Sequence, residues 1–91
     1  MDFAKAVSQA EELEDVSEKI CSTAVDEFGD LLELIDIHWQ GDGSKKIKER
    51  GIEIKEDMLL ISDDLIKISK NIRSISEVVY KAEKAALNLI G

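Results

Sequence analysis

The 91-residue sequence contains no proline, five glycines and a single cysteine, Cys21, and its residues are 44% apolar but only 4% aromatic. One cysteine excludes an internal disulfide scaffold, and a net charge of −8 has the wrong sign for a binder of nucleic acid or of an anionic membrane. What remains is one small, acidic, all-α domain over residues 1–91, marginal alone and in need of a second chain.

Residues 1–12 show no basic stretch followed by an apolar one, so no cleavable secretory signal is expected. The most apolar run, Met58-Leu59-Leu60-Ile61, is far shorter than the roughly 20 residues that span a bilayer, so no membrane span is expected either. By these rules alone the protein would stay in the cytoplasm.

The first expected helix covers about residues 3–39. Phe3, Ala6, Ala10, Leu13, Val16, Ile20, Ala24, Phe28, Leu31 and Ile35 form a drifting apolar stripe, with acids covering the other side. Gly29 lies inside it at a cost of about 1 kcal/mol relative to alanine, which points to a bend or a close contact there. The stripe stops at His38-Trp39-Gln40-Gly41-Asp42-Gly43-Ser44. Gly41 and Gly43 can supply the positive φ that ends a helix, and Ser44 suits the N-cap of the next. So short a turn, about residues 39–43, favours antiparallel neighbours.

The second expected helix runs over about residues 44–90. Ile47, Gly51, Ile54, Met58, Ile61, Leu65, Ile68, Ile72, Ile75, Val79, Ala82, Ala86 and Leu89 alternate spacings of four and three, a heptad seam. A second apolar column, Ile52, Leu59, Ile66, Tyr80 and Leu87, is interrupted only by Arg73. Ser62, Ser69 and Ser76 lie between the two. One column can meet the first helix and the other is left for a second molecule, the pattern of an antiparallel two-helix hairpin that pairs into a four-helix bundle dimer. Charge divides with the helices, −10 over residues 1–43 and +2 over residues 44–91.

Catalytic and cofactor chemistry is not expected. His38 is the only histidine, and Ile35 stands where a helical Glu-x-x-His metal site needs its glutamate. Gly41-Asp42-Gly43-Ser44-Lys45 follows no strand and lacks the Gly-Lys-Ser/Thr order of a phosphate loop. Lys46 would occupy a ligand position of a calcium loop starting at Asp42. Neither an enzyme nor a metal or cofactor site follows from such residues.

With Trp39-Gln40-Gly41 between two long amphipathic helices, followed by Gly43, Ser44 and the apolar Ile47, the chain resembles the WXG family of small helical-hairpin proteins exported by type VII (ESX-like) secretion systems. The resemblance covers essentially the whole chain. It implies a leaderless secreted protein that acts by protein–protein recognition and pairs with itself or with a similar helical chain. It also implies that Trp39 and Gly41 help to form a surface for the secretion ATPase, together with the C-terminal end of a partner helix. The family's C-terminal Tyr-x-x-x-Asp/Glu signal is not matched, because Tyr80 has Lys84 four residues on. Val79, Glu83, Ala86 and Ile90 fit a broader form of it (apolar, acid, apolar, apolar) and are the export-signal candidates.

Two alternatives stay open. In one, the chain is a targeting subunit whose second column binds the helical N-terminal domain of a larger type VII toxin. In the other, it is a cytoplasmic coiled-coil scaffold.

Overall fold

The computed structural model describes residues 2–39 and 41–90, with Ile90 described by its backbone alone. The described chain is helical almost throughout. Helix α1 (Phe3–Ser22) passes through one π turn (Thr23–Glu27) into α2 (Phe28–His38), and α3 (Asp42–Ile90) follows as one helix of 49 residues. Asp2 caps α1, accepting a hydrogen bond from the Lys5 N–H at 3.0 Å.

The end of α2 differs slightly from expectation. The helix stops at His38, and Trp39 is extended, its N–H donating to the Ile35 carbonyl at 2.9 Å. Of the two turn glycines only Gly41 has a positive φ, +124°. Gly43 is helical, because α3 already starts at Asp42. Ser44 is therefore not the N-cap: it lies within the first turn of α3, and its hydroxyl donates to the Gly41 carbonyl at 2.9 Å. Gln40, the middle of the expected turn motif, lies outside the described residues.

Helices α1 and α2 pack along α3 in the opposite direction, as the contacting pairs require. Asp36 meets Lys48, Leu32 and Phe28 meet Gly51, Ser17 meets Ser62, Glu14 meets Ser69 and Arg73, and Phe3 meets Tyr80. The result is a thin rod with principal extents of 75 × 15 × 11 Å. Residues 81–90 project beyond the start of α1, about ten residues or 15 Å of helix.

Small residues make the line of contact. Ala6, Ala10, Ser17 and Ala24 on one side face Gly51, Ser62, Ser69 and Ser76 on the other, all buried. This moves the expected seam. Ile47, Ile61, Ile68 and Ile75 are 46–59% exposed, standing on the flank of the contact rather than at its centre. The physical reason is volume: serine and glycine let two helix backbones come close enough for a hydroxyl to reach the opposite carbonyl, which an isoleucine would prevent.

The first stripe is also corrected at two places. Val16 and Leu31 face outward at 45% and 49% exposure, while Ser17 and Leu32 are buried. Beyond Ala24 the buried position comes eight residues later, at Leu32, instead of seven. The π turn supplies the extra residue, with the Phe28 N–H bonding the Thr23 carbonyl five residues back. The irregularity expected at Gly29 thus lies just before it, at Thr23–Glu27.

Candidate functional site

Trp39 is 57% exposed at one end of the rod. It separates two shallow grooves. One is lined by Ile35, Asp36, Gly41, Ser44, Lys45 and Lys48, with the Asp36–Lys48 ion pair at 2.8 Å tying the rods together beneath it. The other is almost wholly apolar, lined by Leu31, Leu34, Ile35, His38 and Ile47.

The export-signal candidates lie at the opposite end. Val79 is half-buried beside Ile75 and Val78, and Glu83 and Ala86 are exposed on the projecting part of α3. The Ile90 side chain lies outside the described residues. About 40 residues of continuous helix separate Gly41 from Glu83, roughly 60 Å at 1.5 Å per residue. One chain therefore cannot bring the Trp39 turn and the Val79–Ile90 segment onto one surface. A second molecule lying antiparallel along the rod could.

The flanks of the rod are unlike each other. One carries the column expected to meet a second molecule: Ile52 (40% exposed), Leu59 and Ile66 (both half-buried), Tyr80 (44%) and Leu87 (68%). Here Tyr80 stacks on Phe3 with ring centroids 4.8 Å apart. On the same flank Arg73 grips Glu14 in a two-pronged ion pair, both contacts at 3.0 Å, and the Ser69 hydroxyl donates to the same carboxylate at 2.7 Å. The Arg73 hydrogen bonds, and after them that of Ser69, hold the Glu14 carboxyl below the usual carboxylate range. The same contact raises Arg73 further above its ordinary value.

The other flank carries the isoleucine row and opens at the turn end into the apolar groove of Leu31, Leu34 and Ile47. Every heptad position of that row is uncharged: Ile47, Ile54, Ile61, Ile68, Ile75, Ala82 and Leu89.

Sequence reasoning missed the Glu14–Ser69–Arg73 cluster, although Arg73 interrupting an apolar column was its signal. A long charged side chain at such a position is tolerated when an acid on the facing helix neutralises it. Cys21 is a half-buried free thiol, and His38 is exposed. Among the described residues no group of histidines, cysteines and acids could hold a metal ion, and no helix is long and apolar enough to cross a membrane. Comparison with protein-family models, characterised proteins and solved structures gives no match for this chain.

Proposed function

We propose that this protein is an exported substrate of a type VII-like secretion system: a helical hairpin with a Trp-x-Gly turn, paired with a second helical chain and acting by recognition rather than catalysis. The projecting end of α3 carries the proposal. Residues 81–89 are all exposed to solvent, so this segment, with the signal candidates Glu83 and Ala86, offers a surface that a secretion ATPase could read. At the other end the half-exposed Trp39 provides a second contact, and an antiparallel partner would bring its own projecting helix beside it. Pairing also answers a shortage within the chain. The buried apolar side chains among the described residues are three alanines and Leu32, too few to offset the conformational entropy of ordering so long a chain.

The test is to produce the protein in cells that carry a type VII secretion ATPase and in the same cells lacking it, and to compare medium with lysate. Appearance in the medium only when the ATPase is present supports the proposal. Equal retention in both, or equal release from both, contradicts it.

A further inference from the structure

We infer that a second copy of this chain covers the flank bearing Ile47, Ile54, Ile61, Ile68 and Ile75, and that the opposite flank, with Glu14 and Arg73, stays in solvent. This rests on the pairing proposed above and goes further, by assigning the face and its occupant. It also moves the interface away from Ile52, Leu59 and Ile66, where the sequence pattern places it.

Three observations converge. The first is chemical. The isoleucine row is free of charge along its whole length, yet Ile47, Ile61, Ile68 and Ile75 remain about half exposed and Ile54 is half-buried, whereas the other flank contains an ion pair already satisfied within the chain. Covering the first removes large aliphatic side chains from water with nothing charged in the row to desolvate. Covering the second would desolvate Glu14 and Arg73.

The second is area. With two rods centred on Ile61, α3 overlaps its counterpart over residues 42–80, about 57 Å at 1.5 Å per residue. A strip that long and about 15 Å wide offers roughly 850 Å², comparable with the roughly 800 Å² per partner that a stable dimer buries. The third is symmetry, and it selects the occupant. Five isoleucines at intervals of seven read the same from either end, with Ile61 at the centre. A two-fold axis at Ile61 sets Ile47 level with Ile75 of the other copy and Ile54 with Ile68, so the face complements itself when the rods lie antiparallel. The Ile52 column has no such symmetry, because a two-fold axis at its midpoint sets the charged Arg73 level with Ile66 of the other copy.

Light scattering and sedimentation equilibrium on the full chain test this. The expected mass is twice the 10.2 kDa of one chain. Ile61→Asp enters a symmetric interface twice and should weaken association by roughly 100-fold or more, whereas Ile52→Asp, on the opposite flank, leaves it unchanged. Because an aspartate could also disturb the fold, a second variant is read independently. In a Cys21→Ser background, Ile61→Cys should form an intermolecular disulfide on mild oxidation, and Ile52→Cys should not.

A monomeric wild-type chain would overturn the inference. So would association lost in Ile52→Asp but kept in Ile61→Asp, or cross-linking through position 52 and not 61. A dimer formed through the isoleucine face by a chain that is never exported would leave this inference standing and remove the export proposal.

Discussion

Ser17 and Ser62 face each other across the two rods, each hydroxyl within hydrogen-bonding distance of the other's backbone carbonyl, at 2.7 and 2.9 Å, with the two hydroxyl oxygens 2.8 Å apart. Each hydroxyl has one proton, so the two carbonyl bonds use both and bind the rods reciprocally. Contact between a side chain and the opposite helix backbone is possible only because both residues are small. Ser62→Ala should therefore cost no more than about 1 kcal/mol, while Ser62→Leu, which forces the backbones apart, should cost about 1–3 kcal/mol. Thermal unfolding of the two variants beside the wild type checks the ordering. Equal effects would mean that the serines are not the point of closest approach.

Glu14 makes stability depend on pH with a definite sign. Its folded carboxyl titrates below its ordinary value because Arg73 and Ser69 donate to the ionised form. The stability that it contributes is thus complete above the ordinary glutamate pKa of 4.5 and is lost as pH falls through the lowered folded value. In Glu14→Gln that contribution is gone at every pH. The gap in melting temperature between wild type and variant should be widest near neutral pH and narrow progressively as pH falls below the ordinary glutamate value. A gap that is constant across that range would show that Glu14 acts only by packing.

The glycines of the two rods should respond oppositely to substitution. A Cβ on Gly29 would find only the Lys55 Nζ at 3.9 Å, ordinary contact, so Gly29→Ala should raise stability by about 1 kcal/mol through helix propensity. A Cβ on the buried Gly51 would collide with the Leu32 side chain. Gly51→Ala should fall short of that gain, and Gly51→Val should lower stability by about 1–3 kcal/mol. Chemical denaturation of the three variants measures the difference.

Self-association of a chain with net charge −8 works against long-range repulsion. The interface proposed here has an apolar row at its centre, so salt screens the repulsion and takes little from the contact. Association should tighten when ionic strength rises from about 0.01 to 0.15 M, where the Debye length falls from about 30 to 8 Å. Sedimentation equilibrium at the two salt concentrations reads this directly, and weakening with salt would point to an interface held by ion pairs instead.

The helical class was legible in the sequence because the period of 3.5 to 3.6 runs through nearly every apolar residue from Phe3 to Leu89 and no proline interrupts it. The line of contact was not. Apolarity alone favours the isoleucine seam, but two helices approach most closely where side chains are small, so Ser62, Ser69 and Ser76 came to the centre and Ile61, Ile68 and Ile75 moved to the flank. The switch from Leu31 to Leu32 was hidden for another reason. A π turn adds one residue without any proline or glycine to mark it, and Thr23-Ala24-Val25-Asp26-Glu27 reads as ordinary helix. Of the candidate site, Trp39 and Gly41 stood out by residue type. That they lie about 60 Å from Glu83 follows only from α3 being unbroken.

Export through the projecting end of α3 is tested most directly by deleting residues 81–91 and measuring the protein in medium and in lysate beside the full chain. The deletion removes a segment whose residues 81–89 are all exposed and leaves the Phe3–Tyr80 stack in place. The account predicts that the shortened chain keeps its helical circular dichroism per residue and accumulates inside the cell while the full chain leaves it. Undiminished export of the shortened, folded chain would contradict it.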